Sequence, residues 1–343
     1  MFNLFRLVVA VAGAAALAVT SVVPGFAQSN FYEGKQIRFI VAGSTGSNYD
    51  NYARFVARHL ARHIPGNPTI TTSVMSGASG IIAANYLHNV APKDGTVVLA
   101  VHSSIALAQI TGVENIEYDA RNFGWIGRVA SAGHDVQYAS STANVTKFDD
   151  LLKREILVGG TGPTSNTVLL PNAINKMMGG KLKVLRGYKG AADTALAMER
   201  GEVQMGMMNW DLLRNQHPDW LRDKKVNVVV QYNLERHPEL PNVPTIIDVS
   251  TTDEQRHVWG LLMRPIAIGY AYGVVPGVPA DRLAVLRKAF DDMAKDPEFI
   301  ADAKKVNLPI EPLTGAQLDQ VVDAMFKANP ETVETVKSLM GNK

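Results

Sequence analysis

The chain has 343 residues, 46% of them hydrophobic, with no cysteine and 34 Lys and Arg against 32 Asp and Glu, a formal charge of +2. Near-neutral, dispersed charge excludes the electrostatic footprint of a nucleic-acid binder. The missing cysteine excludes disulfides, thiolate catalysis and a lipid-modified Cys, and the length suffices for two domains with separate cores.

Taken in chain order, residues 1–27 read first, as a secretory signal peptide. Arg6 supplies the positive start, Leu7 to Val23 is an apolar run, and Pro24-Gly25-Phe26-Ala27 ends in the small residues that a signal peptidase needs. A transmembrane anchor fits less well, because the run is short and no charged stop-transfer flank follows it. Cleavage after Ala27 and export to the periplasm as a soluble monomer are the expectation. Removing the leader takes away one Arg and no acid, so the balance stays near neutral.

Strand and helix signals then alternate. "QIRFIVAG" at 36–43 is an apolar strand, and "DNYARFVARHLARHI" at 50–64 is a helix with Ala53, Val56, Leu60 and Ile64 on its apolar stripe. "TITTSVM" at 69–75 is a β-branched strand, 80–90 a helix, 95–101 a strand, and "SSIALAQIT" opens another helix. Strands follow at 135–141 and 155–160, with a short helix at 147–153 between them and a longer helix at 165–178 after them. Next come a strand at 181–188, a helix at 191–201, and strands "VQMGMMN" and "VNVVVQY". After the Pro-rich 237–246, "AIGYAYGVV" reads as a strand, and the segment from Pro279 to Val306 as two helices broken near Asp296-Pro297. Such alternation predicts an α/β fold, with parallel-rich sheets covered by helices on both faces. Four strand-to-helix turns are rich in small residues, at 42–50, 75–80, 101–104 and 159–166. Ligands of open α/β sheets sit where such turns cluster.

Several stretches together carry a family resemblance. "GSNYDNYARFVARHL" (46–60), "SGASGIIAANYLHNVAPKDGTVVLAVHSS" (76–104), "YDARNFGWIGRV" (118–129), "RGYKGAADTALAMERGEVQMGMMN" (186–209) and "LPNVPTIIDV" (240–249) resemble the periplasmic solute receptors of tripartite tricarboxylate transporters, the Bug family. The resemblance covers nearly the whole chain after the leader. It implies the two-lobed periplasmic binding protein fold of the type II, Venus-flytrap kind. Lobe one would comprise 28–132 and 249–343, and lobe two 133–248, with crossovers near Ala132–Tyr138 and Gln231–Val249. It implies a receptor, not an enzyme, that binds a small carboxylate through backbone amides and bound waters, uses no cofactor, and passes its ligand to integral-membrane permease subunits. The sequence departs from the family pattern in places. The first turn lacks the usual Pro and paired Gly, Ser76 and Ser79 replace Pro and Gly in the second, His102 stands in the third, and Trp210 follows the strand ending at Asn209.

The candidate ligand-binding residues sit at these turns. Ser47, Asn48, Tyr49 and Asp50 come from the first, Gly77, Ala78 and Ser79 from the second, and His102 and Ser103 from the third. Thr161, Thr164, Ser165 and Asn166 come from "GGTGPTSN", Tyr188 and Lys189 from the next strand-to-helix turn, and Asn209 and Trp210 from the end of "VQMGMMN". The turn at 160–166 lacks the Gly-Lys-Ser/Thr ending of a P-loop and the spaced glycines of a dinucleotide site. A carboxylate held by backbone N–H groups and hydroxyls at a helix start fits it, and so does an ordinary helix cap with Ser165 as the N-cap. Asp50 is expected to orient the turn rather than touch an anion. His102 either donates to a carboxylate oxygen or forms part of a wall, Lys189 either meets the ligand or is solvated, and Trp210 either stacks on a ligand ring or packs inside its lobe. His102 and Trp210 are expected to favour an aromatic or medium-chain acid over citrate. His59 and His63 are four apart, but the Glu-x-x-His companion of a metal helix is absent, so no metal is expected. A Ser–Lys enzyme and a periplasmic sensor on the same fold are the alternative functions.

Overall fold

The computed structural model describes residues 31–340 apart from 163 and 164, so the leader at 1–27 and the candidate Thr164 lie outside the described residues. The chain first lays down β1 (Gln36–Val41), α1 (Asn48–Leu60), β2 (Thr69–Val74), α2 (Ile81–Asn89), β3 (Val97–Val101), α3 (Ile105–Ile110) and β4 (Gly124–Arg128). It then builds β5 (Asp135–Ser140), β6 (Ile156–Gly160), α4 (Asn166–Met178), β7 (Leu182–Arg186), α5 (Ala191–Glu199), β8 (Met205–Asn209), α6 (Trp210–Gln216), α7 (Pro218–Arg222) and β9 (Val226–Tyr232). It closes with α8 (Asp253–Ile268), β10 (Ala271–Val274), α9 (Ala280–Lys295), α10 (Pro297–Lys305), β11 (Leu313–Thr314), α11 (Gly315–Phe326) and α12 (Pro330–Met340).

Two sheets define two lobes. The first has the order β11-β4-β10-β3-β1-β2 and the second β7-β6-β8-β5-β9. Each is mixed rather than purely parallel. β1 runs parallel to β2 and β3, while β10 runs antiparallel to both β3 and β4. In the second sheet β6 runs parallel to β7 and β8, while β5 runs antiparallel to β8 and β9. The strands that run against the rest are β5 in the second sheet and β10 and β11 in the first, where β11 pairs antiparallel with β4. β5 and β10 are the first strands laid down after the chain has changed sheets.

Burial on both faces explains the apolar runs. In β1, Ile37, Phe39 and Val41 face one hydrophobic cluster and Ile40 another. In β3, Val97, Leu99 and Val101 face the second of these and Val98 and Ala100 the first. Helices cover both sides, as the near-continuous hydrophobic strands require. α1 buries Tyr52, Ala53, Phe55, Val56 and Leu60, and the Ser47 hydroxyl at its N-cap accepts from Asp50 N at 3.4 Å.

Helix α8 is not legible in the sequence. The segment read as a strand over 267–275 begins with the end of this helix, and only Ala271–Val274 is strand. Pro265 inside the helix and its weakly segregated face hid it. Thr252 and Gln255 start it with a reciprocal capping box, and Gln255 Nε2 donates at 2.9 Å to Met177 O at the end of α4. Trp259 packs fully buried 6.2 Å from the Tyr232 ring. On α12, Ser338 accepts from Lys176 Nζ at 2.5 Å. The returning segment therefore packs against both lobes. No helix among the described residues is long and apolar enough to cross a membrane.

Candidate functional site

Three of the four small-residue turns converge in the first lobe. The Tyr49 hydroxyl lies 3.0 Å from Ser103 Oγ and accepts from Ser103 N at 3.2 Å, joining the start of α1 to the end of β3. Ser104 Oγ lies 3.1 Å from Ser79 O and 2.8 Å from His102 Nδ1, joining the third turn to the second. Tyr49 stacks on His102 at 4.7 Å, meets Tyr270 edge-on at 5.2 Å, and Tyr270 stacks on Tyr52 at 4.2 Å. The result is a continuous aromatic wall.

The wall is electrically neutral. Burial pushes the His102 imidazole down to about 4, so at neutral pH it carries no charge. Ser104 N at 3.4 Å and Ser104 Oγ at 2.8 Å both meet Nδ1, so that nitrogen is engaged within the turn. Burial raises the Tyr49 phenol and holds Tyr270 at about 12, offset in part by a hydrogen bond from the Asn48 side chain.

The second turn is conformationally unusual. Gly77, Ala78, Ser79 and Gly80 all have positive φ, at 130°, 44°, 50° and 89°. For Ala78 and Ser79 this costs on the order of 1 kcal/mol each. The run closes on itself, with Gly80 N donating to Gly77 O at 3.0 Å. Asp50 is buried and shapes the first turn, accepting from Gly46 N at 2.9 Å and from Arg54 Nε at 2.8 Å. It stands beneath the turn, in an orienting position.

In the second lobe, Ser165 occupies the N-cap of α4, yet its side chain makes no cap hydrogen bond. Its hydroxyl donates to Gly162 O at 2.7 Å and joins Thr161 and Thr167 hydroxyls at 2.8 Å each. The ordinary-cap alternative therefore does not describe this side chain. The start of α4 keeps its positive dipole end without a side-chain cap. Gly187 N and Tyr188 N reach Thr161 O and Gly160 O at 3.3 Å each, so the turn at 187–189 abuts this one. The Tyr188 phenol, however, is bonded to Glu202, and the Lys189 side chain is exposed while its backbone N–H caps onto Asp193 at 3.1 Å.

Asn209 caps α6 through its carbonyl oxygen, which accepts from Asp211 N at 3.1 Å. Trp210 does not offer a ring to a ligand. It is 7% exposed within a core cluster of the second lobe that includes Leu213 and Trp220, and its indole N–H donates to Glu239 at 2.7 Å. A helix begins at this residue, and helical geometry turns its side chain back onto the sheet.

Two residues at the site were not picked out from the sequence. Asp135 opens β5, half-buried, with Asn209 and Tyr232 as its partners on the flanking strands. Burial raises its carboxyl, offset in part by the Asn166 side chain. Tyr270, just before β10, belongs to the aromatic wall through Tyr49 and Tyr52. Both missed residues border the strand that enters a sheet from the other lobe, and that position was the available signal.

This geometry has known counterparts. A TctC solute-binding protein from Polaromonas superposes with a TM-score of 0.67 at 18% identity, covering 91% of this chain and 100% of that one. The periplasmic binding protein BugD gives 0.60 at 19% identity over 90% and 98% of the two chains. The fold is that of the TctC and Bug periplasmic binding proteins. The resemblance carried by the sequence motifs and the two-lobed α/β architecture expected from it are borne out. An R. palustris protein solved with adipate gives 0.59 at 20% identity over 90% and 97%. A UPF0065 protein of Bordetella bronchiseptica is 22% identical over 276 residues, 79% of this chain and 76% of its own. No protein-family model matches the chain.

Away from the cleft, His59, Glu298 and Asp302 bring ligand-type atoms within 4.8 Å of one another. Arg62 holds Glu298 at 2.8 Å, Lys305 holds Asp302 at 2.7 Å, and His63 turns to Asp296 at 3.1 Å. The acids already have cationic partners, so the group reads as an ion-pair network.

Proposed function

We propose that this protein is a periplasmic solute receptor that binds a small organic carboxylate between its lobes and delivers it to the membrane permease of a tripartite-type transporter. The observation that carries the reading is the convergence of three strand-to-helix turns in one lobe, tied by Tyr49 to Ser103 and by Ser104 to Ser79, together with the start of α4 in the other lobe, which has no side-chain cap. A ligand between the lobes would meet the start of α4 on one side and the His102 ring and the turn at 77–80 on the other. Oriented amides and a neutral donor suit a carboxylate, which needs several hydrogen bonds when it leaves water. The likeness to TctC and BugD, and to a protein solved with adipate, supports the same class. Ser47, Asn48, Tyr49, Ser79, His102, Ser103, Thr161, Ser165, Asn166 and Asn209 are the proposed contacts. Asp50 and the 187–189 turn support them.

The role is binding rather than turnover, by a chain exported with its leader removed near Ala27. Periplasmic protein should begin at or near Gln28 on N-terminal sequencing. A thermal-shift and calorimetry screen of linear, tricarboxylic and aromatic acids should find a ligand that raises the melting temperature and is recovered unchanged by mass spectrometry. Small-angle scattering should show a smaller radius of gyration with that ligand, as lobe closure requires. Chemical conversion of the ligand, or saturation with no change in scattering, would count against this function.

A further inference from the structure

A groove of about 450 Å³ lies apart from the small-residue turns, walled by α8, the end of α11 and the start of α12. Arg256, Gly260 and Arg264 stand four apart along α8, so they share one helix face, and Lys327 joins them from the C-cap of α11. Nothing lies within 4 Å of a Cβ built on Gly260, which leaves the space between the two arginines open. Leu261, 2% exposed, and the half-buried Ala324 and Ala328 supply an apolar floor. No Asp or Glu lines this groove. Arg256 reaches only the exposed Asp253, at 2.7 Å, while Arg264 and Lys327 enter no ion pair among the described residues. The nearest acids serve other recesses, Glu331 and Glu334 beside Lys176 and Asp323 beside Arg121 and Arg287. Elsewhere Arg62, Arg214 and Arg236 each stand on a carboxylate, so in a near-neutral chain this concentration of unmatched positive charge is out of keeping.

A rim of cations attracts and orients an acidic partner. The floor decides what kind. A free inorganic anion gains nothing from Leu261, Ala324 and Ala328, whereas a peptide can bury an apolar side chain there and set its acids on the rim. A membrane-binding face presents protruding apolar side chains, and the large exposed ones of this fold, such as Val90, Leu212 and Ile300, lie elsewhere. We infer that the groove between α8 and the α11–α12 corner docks an acidic segment of a protein partner, with one apolar side chain on the floor and flanking carboxylates on Arg256, Arg264 and Lys327. This rests on the receptor function proposed above only for the identity of the partner, the permease that takes the ligand. Because the groove and the cleft share no residue, the chain can hold ligand and permease at the same time.

The probes are three labelled pentapeptides, Glu-Glu-Leu-Glu-Glu, Gln-Gln-Leu-Gln-Gln and Glu-Glu-Ser-Glu-Glu, titrated with the mature protein at low salt and read by fluorescence anisotropy. The first should bind about tenfold more tightly than either of the others and weaken as salt screens the rim. Arg264→Gln together with Lys327→Gln should cost that peptide about tenfold. Lys295→Gln together with Lys304→Gln removes the same charge from exposed positions on α9 and α10 and should cost less than about twofold. Both pairs should keep the wild-type affinity for the cleft ligand in calorimetry, and cells carrying the groove pair should take that ligand up more slowly. Equal binding of the three peptides by wild type would overturn the inference, whether or not the variants fold. So would equal losses in the two variant pairs, displacement of the peptide by equimolar sulfate, binding of phosphatidylglycerol vesicles in place of the peptide, or unchanged uptake by the groove pair. Peptide binding at the groove with no carboxylate found for the cleft would remove the receptor function and leave the docking surface standing.

Discussion

The Tyr49 hydroxyl accepts from Ser103 N at 3.2 Å and lies 3.0 Å from Ser103 Oγ, across 54 positions of sequence. One phenol thereby fixes the distance between the turn that starts α1 and the turn that ends β3. Tyr49→Phe should keep the ring on His102 but leave Ser103 N–H without this partner. The expected loss is about 1 kcal/mol of stability in a denaturant titration, with weaker ligand binding as the two turns loosen. Unchanged stability and affinity would show that the hydroxyl positions nothing.

At Gly80 the space is already occupied. A Cβ there would sit 2.4 Å from His102 Cβ, at a φ of +89° that side chains rarely adopt. Gly80→Ala should destabilise the fold by roughly 1–3 kcal/mol, combining backbone strain with a forced shift of His102. Gly260 in α8 offers the contrast, since nothing lies within 4 Å of a Cβ built on it. Gly260→Ala should be neutral or stabilise by about 0.5–1 kcal/mol, because alanine restricts the unfolded chain. Chemical denaturation of the two variants side by side measures both effects.

His102 makes stability depend on pH in one direction. Burial holds its folded value at about 4, below the ordinary 6.5. As pH falls, the unfolded chain takes up the proton first, so stability is complete above about 6.5 and drains away down to about 4. The loss from this residue is on the order of 3 kcal/mol at most. His59 and His134 are lowered too and act in the same window. The contribution of His102 is therefore the difference between wild type and His102→Gln, which should flatten the decline between pH 6.5 and 4. Parallel curves would mean that His102 is protonated in the folded state.

Ser165 contributes a hydroxyl to the cluster with Thr161 and Thr167 rather than a cap to α4. Ser165→Ala should weaken ligand binding about 2- to 10-fold, the worth of one neutral hydrogen bond, because the helix amides remain. Calorimetry reads this directly. A loss of a thousandfold would mean that the hydroxyl, not the backbone, holds the anion.

Trp210→Phe removes the indole N–H from Glu239 and leaves a ring in the second lobe's core. About 1 kcal/mol of stability should go, while the ranking of ligands in the thermal-shift screen stays as it was. His102→Ala should reorder that ranking, since its ring stacks on Tyr49 in the aromatic wall. A reordering in Trp210→Phe instead would place the indole in the ligand's path.

The sequence by itself determined what is local. Apolar runs such as 36–43 and 226–232 specified strands, and the stripe of Ala53, Val56 and Leu60 specified a helix, because side-chain periodicity is set within a few residues. Small residues marked the turns at 42–50, 75–80, 101–104 and 159–166, because tight turns tolerate little else. What met what was decided only by the tertiary structure. That Tyr49 finds Ser103, that Ser79 finds Ser104, and that Gln255 finds Met177 depends on strand order and register, which no short window contains. Trp210 and His102 looked alike as bulky residues at strand ends. The helix that begins at Trp210 turned it into a core, while His102 stayed on the turn before α3, stacked on Tyr49. The directions of β5, β10 and β11 escaped the periodicity for the same reason, since a strand's own residues record which faces are buried and not which way its neighbours run.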